Sequence, residues 1–342
     1  MNELRDSFSD RALRLFPGGS NGEYGIPEGD APVMDHGTGC RVWDTAGREY
    51  LDMTMAWGSA LVGHAHPKVL EAANSASARG ANFAAVTRPM VELAERIVDL
   101  SPCVDQIRFV ASGTEATMLC LRAARAATGR SKILKFEGAY HGQHPEGIAS
   151  LVGNEPPDMP NSDPSGTGAP WVQRDVLVAP YNDLTATERI LNQHGGELAA
   201  VIVEPLHRCI PPVDGFLQGL REATSRHGIV LVFDEVVTGF RLAFGGAQEY
   251  YGVSPDLVAY GKGLGGGFPI GAYGGQGDIM ETVNEQRYPG PNYAWSASTT
   301  GGNPVSSAAA LAALEIFREP GVYERLHSLG KQLRIALGQV LD

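Results

Sequence analysis

Five short runs along the chain are apolar at nearly every position: QIRFV (106–110), KILKF (132–136), LAAVIV (198–203), IVLVF (229–233) and LVAY (257–260). β-branched and aromatic residues dominate them and polar alternation is weak, the pattern of parallel strands covered on both faces. Between these runs the period lengthens to that of a helix. Residues 114–128 (TEATMLCLRAARAAT) are the strongest case, with Thr114 and Glu115 polar in the first turn. Residues 214–227 form a second helical pattern ahead of IVLVF, and the chain from residue 303 reads as helix (ALAALEIF, then VYERLHSLGKQLRIALGQVL). Strand alternating with helix predicts an α/β fold around a mostly parallel sheet. Residues 150–175 break the rhythm with five prolines and three glycines. A loop of that length inside a compact domain is usually functional or mobile, so a lid or rim is expected there.

Composition narrows the class. The 342 residues are enough for a substantial core, and 43% apolar against 19% charged residues excludes disorder over most of the chain. A formal charge of -12 with no basic cluster argues against a nucleic-acid or anionic-membrane partner. The four cysteines form no CxxC pair and read as free thiols in a reducing compartment. The start, MNELRDSFSD, is charged, and no apolar run approaches the ~18 residues a bilayer span needs. A soluble, cytoplasmic protein is expected.

In a doubly wound sheet, ligands bind beyond the carboxyl ends of the strands. The residues directly behind each run are therefore the ones to inspect for chemistry. After QIRFV come Ser112, Gly113 and Thr114, opening a helix. Backbone N–H groups and hydroxyls there suit a phosphate, although an ordinary N-cap is commoner. After KILKF come Tyr140, His141 and Gly142, either a ring-stacking aromatic or a turn with a half-buried tyrosine. Glu204 stands behind LAAVIV, and Asp234, Glu235 and Val236 stand behind IVLVF. A carboxylate behind a buried strand needs a cation or a protonated base as partner, or else caps a helix or joins a structural ion pair. After LVAY stands Lys262 between glycines, a nucleophile for carbonyls if desolvated, a surface lysine in a flexible loop if not. A phosphate cradle, a stacking aromatic, a buried carboxylate and a poised lysine together match a phosphorylated aromatic aldehyde, of which pyridoxal 5'-phosphate is one. The pairs His64/His66 and His141/His144 lack a recognised metal-ligand spacing, so no metal is expected. The glycine fingerprint of nicotinamide sites and the GxSxG of serine hydrolases are missing.

The stretches SGTEA (112–116), YHG (140–142), FDEVVTGFR (233–241), GKGLGGGFPIGA (261–272) and TTGGNP (299–304) resemble the class III aminotransferases. FPGGSN (16–21), WGSALVGHAHP (57–67), APYNDL (179–184) and GGAQEYYGVSPDL (245–257) are most similar to the glutamate-1-semialdehyde aminomutase branch. The resemblance covers nearly the whole chain. It implies a fold type I pyridoxal-phosphate transferase with three parts: an N-terminal segment (1–60), a large cofactor domain (61–302) and the beginning of a small C-terminal domain (303–342) that family members continue. It also implies roles. Lys262 carries the cofactor as a Schiff base and shuttles a proton, and Asp234 pairs with the pyridinium nitrogen. Val236 and Tyr140 sandwich the ring, with His141 ordering the contacts behind it. Gly113 and Thr114 hold the phosphate, Glu204 lies near the cofactor, and Thr299 reaches the phosphate of a neighbouring subunit in a homodimer.

Two stretches depart from the aminomutase branch. Its substrate-gripping arginine is replaced by about Gly25, and SerThrThr (298–300) precedes GGNP. Both favour transamination between another amino acid or amine and an oxo acid. Alternatives are the aminomutase reaction giving 5-aminolevulinate, and a pyridoxal-phosphate protein impaired by the missing C-terminal domain. Arg88, Arg208 and Arg241 are candidates for gripping a substrate carboxylate. An exposed apolar face is expected where the further sheet of the small domain would pack.

Overall fold

The structure, a computed structural model, describes residues 7–22, 32–152 and 161–341. The N-terminal part forms an antiparallel sheet of β1 (Met34–Thr38), β2 (Arg41–Asp44) and β3 (Glu49–Leu51). The main sheet has seven strands: β4 (Gln106–Val110), β5 (Lys132–Phe136), β6 (Val176–Ala179), β7 (Leu198–Val203), β8 (Val230–Glu235), β9 (Leu257–Tyr260) and β10 (Gly271–Gly275). Their order is β4-β10-β9-β8-β7-β5-β6. All pairs from β6 to β9 are parallel, and β10 runs antiparallel to both of its neighbours.

Every predicted strand is present, and the sheet has two more. β6 is a short VLVA run directly behind the proline-rich segment. β10 (GAYGG) has too little apolar surface to read as a strand, yet its glycines are what let it pair. A Cβ on Gly274 would lie 2.7 Å from the Gln106 carbonyl oxygen of β4, so only a bare backbone fits between its neighbours. β8 begins at Val230 and runs to Glu235, two residues beyond IVLVF, so Asp234 and Glu235 belong to the ladder and pair in register with Ala259 and Tyr260.

Alternation along the strands sorts side chains to two faces. Leu134, Phe136, Val201, Val203, Leu231 and Phe233 join one core, under helices Pro67–Ser77, Arg88–Leu100 and Pro304–Phe317. Ile133, Ala200, Ile202, Val230 and Val232 join the other, under helix Gly113–Thr128. The same period assigns Lys135, Glu204 and Asp234 to this second face, where three neighbouring strands end. Helix Gly113–Thr128 starts where the sequence indicates. Ser112 caps it by accepting from Glu115 N, and Gly129 ends it in the left-handed conformation (φ 68°).

Residues 153–160 of the proline-rich segment, and Gly25, lie outside the described residues. Around the former, Ser150 N donates to Asp163 O at 2.9 Å and Ala149, Ala169, Val172 and Val176 form a small core. Helix Val322–Leu341 buries none of its residues and exposes Leu329, Leu333, Ile335, Leu337, Val340 and Leu341.

The tight contact between β10 and the helix cap is testable. A Cβ on Gly271 would collide with the carbonyl of Ser112. Gly271→Ala should therefore cost about 1–3 kcal/mol in a thermal or denaturant melt. Gly196→Ala, where nothing lies within 4 Å, should change stability by less than about 0.5 kcal/mol.

Candidate active site

The ends of β4, β8 and β9 meet at a point that the Val236 side chain fills. A Cβ on Gly113 would stand 2.7 Å from Val236 Cγ1, and one on Gly261 would be 3.3 Å from both Val236 Cγ1 and Gly113 Cα. The lysine turn and the helix N-terminus are therefore packed backbone to backbone, and the turn after Asp234 reaches both through the Val236 side chain. Lys262 begins a 3-10 turn (Lys262–Gly265) with its own φ at 42°. This left-handed geometry costs a residue with a Cβ about 1 kcal/mol or more. Burial lowers the pKa of its partly buried amine, while Asp234 and Glu204 pull the other way and Arg241 and Arg208 push with the burial.

Asp234 is buried, and both carboxylate oxygens are used. Oδ1 accepts from Val236 N at 3.0 Å and Oδ2 lies 2.8 Å from His141 Nδ1. Burial pushes His141 down to about 4, against the pull of Asp234. The imidazole is thus neutral, with its proton on Nδ1 facing the carboxylate, and its buried Nε2 has no hydrogen-bond partner. An acceptor nitrogen left bare in a dry site is a position where a ligand or water is needed.

The helix cap and the Tyr140–His141 loop touch. A Cβ on Gly142 would be 2.7 Å from Thr114 Cα, and Gln143 N reaches Thr114 Oγ1 at 3.4 Å. Thr117, one turn into the helix, donates to the carbonyl of His141. The first-turn N–H groups at Gly113 and Thr114 have no partner within an α-helix, so the site has the polarity a phosphate requires. The Arg208 guanidinium stands 5.8 Å above the Tyr140 ring and donates to Gly138 O at 3.2 Å. Glu204 lies beside Asp234 at the end of the next strand. Burial, then the charge of Asp234, pushes its pKa up to about 8. Its Oε2 has no hydrogen-bond partner, with His207 Nδ1 at 3.5 Å.

The structure thus gathers Ser112, Gly113, Thr114, Tyr140, His141, Glu204, Asp234, Val236 and Lys262 along one sheet edge. Thr299 is the exception. It is exposed, and what the structure records for it is its carbonyl accepting from Asn82 Nδ2 at 3.0 Å. Of the three arginine candidates, Arg88 is exposed at a helix start. Arg241 is committed to the Val237 and Gly58 carbonyls. Arg208 alone of the three stands over Tyr140. Among the described residues no group of three His, Cys, Asp or Glu side chains could hold a metal.

Lys135 escaped the sequence reading, and Glu235, named there beside Asp234, proves to face the other way. Lys135 is fully buried, and its Nζ donates to Ala139, Gly147 and Ala149 carbonyls at 2.9, 3.0 and 2.6 Å. Burial lowers it to about 7. The signal was its place in KILKF, a charge on a strand otherwise buried on both faces. Glu235 points away from Asp234 into the opposite core. There it accepts from Ala247 N at 2.6 Å and Gln248 Nε2 at 3.1 Å, and burial raises it to about 7.

A model of the class-III aminotransferases matches residues 27–342. The chain is 45% identical to a glutamate-1-semialdehyde 2,1-aminomutase of Thermomicrobium roseum, over 100% of this chain and 79% of that one. To the enzyme of the same name from Acetivibrio thermocellus it is 42% identical, over 97% and 78%. Among solved structures, an omega-transaminase from Sphaerobacter thermophilus superposes with a TM-score of 0.91 at 39% identity, over 98% of this chain and 77% of that one. A transaminase with pyridoxal phosphate bound gives 0.89 at 31%, over 97% and 78%. Similarity of this extent, over both the glycine-lined junction and the sheet that carries it, establishes that the chain belongs to the class-III aminotransferase family.

Proposed function

We propose that the site holds pyridoxal 5'-phosphate and moves an amino group between an amino acid or amine and an oxo acid. The observation that carries this reading is the junction of Gly113, Val236 and Gly261, which holds the lysine turn, the phosphate cradle and the Asp234–His141 pair in one cluster. The N–H groups opening the helix at Gly113 and Thr114, with the Ser112 and Thr114 hydroxyls beside them and Asp234 and Lys262 at neighbouring strand ends, fit a planar phosphorylated ligand. When bound, the cofactor supplies an aldehyde carbon for an amine and a pyridine ring that withdraws electrons from it.

The chain's own residues supply the rest. Backbone N–H groups at Gly113 and Thr114, with the hydroxyls of Ser112 and Thr114, hold the phosphate. Tyr140 and Val236 cover the two ring faces. Asp234 would pair with the ring nitrogen, and His141 Nδ1, 2.8 Å from Oδ2, holds that carboxylate in place. Lys262, whose lowered pKa enlarges its uncharged fraction at neutral pH, would hold the cofactor and serve as the base for the proton on the substrate α-carbon. Glu204, protonated below about pH 8, adds no second negative charge beside Asp234.

The same proposal places Thr299 at the phosphate of a second subunit, making a homodimer with its sites at the interface, working in the cytoplasm. The four free thiols agree with a reducing compartment. It divides the chain into a segment 1–60, a cofactor domain 61–302 and the beginning of a smaller domain from 303. Helix Pro304–Phe317 then serves as the connector that packs into the large core. The intramolecular aminomutase reaction is the second reading, favoured by the Thermomicrobium roseum relative. The two differ in a measurable requirement: transamination stops without an added oxo acid, and the aminomutase reaction does not.

Lys262→Ala should lower amino transfer by about 10³-fold or more, and Asp234→Asn by about 10²-fold with cofactor uptake retained, both read from turnover with an amine and amino-acid panel. Full turnover by Lys262→Ala would refute the assignment. Glu204 gives a pH test. Its folded pKa of about 8 lies above the usual 4.5. Its contribution to stability is therefore complete below 4.5 and is lost as pH rises through 8. Glu204→Gln, which mimics the protonated acid, should gain stability over the wild type across that window in denaturant melts. A difference that stays constant with pH would contradict it.

A further inference from the structure

The loop between β5 and residue 150 closes on itself. Ala139 N donates to Phe136 O at 3.1 Å, Gly138 N to Ser150 O at 2.9 Å, His141 N to Gly147 O at 3.0 Å and Ala149 N to Pro145 O at 3.1 Å. Ala139, Gly147 and Ala149 are buried inside it. Buried carbonyls need donors, and a loop interior offers few. Lys135 answers this from below. It leaves the end of its strand on the face shared with Glu204 and Asp234, and each hydrogen of its ammonium meets a loop carbonyl.

We propose that Lys135 is a positioning residue for the ring side of the site, tying the loop that carries Tyr140 and His141 to the sheet so that His141 meets Asp234. The inference rests on the pyridoxal-phosphate reading and deepens it.

The loop has two anchors. On the helix side, the His141 carbonyl receives Thr117 Oγ1 and lies 3.1 Å from His144 Nε2. His144 Nδ1 in turn lies 3.2 Å from Glu146, which Arg125 holds at 2.8 Å. On the sheet side, the anchor at the loop's centre is Lys135. The phosphate cradle belongs to the helix and does not touch the ammonium. The loop meets the cradle through Gly142 and the 3.4 Å bond from Gln143 N to Thr114 Oγ1. The cradle's N–H groups nevertheless belong to a helix with its own cap, Ser112 Oγ accepting from Glu115 N. Loss of the sheet anchor therefore loosens the ring-covering residues far more than the cradle. A lysine that merely filled space would stabilise both alike.

The experiment uses Lys135→Met, which removes all three donors, and Lys135→Gln, which retains an amide donor, with far-UV circular dichroism as the check on fold. Pyridoxal phosphate affinity is measured on stripped protein, and inorganic phosphate is titrated as a competitor. In Lys135→Met the pyridoxal phosphate Kd should rise about 10- to 100-fold, the range that one or two lost hydrogen bonds give. Lys135→Gln should fall between Lys135→Met and the wild type. The inhibition constant for phosphate should stay within about twofold, and the visible circular dichroism of the bound cofactor should weaken, reporting a looser ring. A folded variant with wild-type affinity and dichroism overturns the proposal. So does a parallel loss of phosphate and pyridoxal phosphate, or failure of both variants to fold, since each makes Lys135 a general stabiliser. A wild type that binds phosphate but no pyridoxal phosphate overturns the functional reading itself and this inference with it.

Discussion

The backbones at Gly113 and Gly261 meet closely, with the Val236 side chain packed against both, and the site depends on that contact. Each of the three residues lies at the exit of a different strand, so the chemistry on each is otherwise independent of the other two. Pressed together, they put an amine, a carboxylate and a row of helix N–H groups within one small volume. A side chain at Gly113 or Gly261 would separate them. Gly261, directly before Lys262, is therefore a spacer for a close junction, which a flexible surface loop would not need.

The second constraint is electrostatic. Lys135, Glu204 and Asp234 end three adjacent strands on one face, and Lys262 stands just past the end of the next strand. Charges in such a row cannot all be ionised in a dry setting. The structure distributes the cost in three ways. Lys135 is solvated by carbonyls, and Glu204 holds its proton up to about pH 8. Asp234 has a backbone N–H and an imidazole N–H as donors. Of the two carboxylates beside the amine, Asp234 is thus the one with partners on both oxygens. Glu235, its immediate neighbour, faces the other core and anchors the turn from behind through Ala247 and Gln248.

Apolar runs located five strands because burial on both faces leaves a strong signal, and the residues behind them make up most of the candidate site. Local pattern stops carrying information where pairing depends on fit. GAYGG forms β10 through the match between neighbouring backbones, which no hydrophobic count detects. Lys135 was not singled out because nothing local in KILKF shows what a buried lysine would bond to, and its three carbonyl partners come from a loop up to fourteen residues further on. Thr299 was legible only through family resemblance, since the role expected of it belongs to a second subunit rather than to local contacts.

The central claim is that Lys262, and not the still more deeply buried Lys135, is the amine that meets the cofactor. Borohydride reduction of the protein saturated with pyridoxal phosphate, followed by peptide mass mapping, tests it directly. A single phosphopyridoxyl adduct on Lys262, lost in Lys262→Ala, is the expected result. An adduct on Lys135 or another lysine, or none at all, would contradict the account.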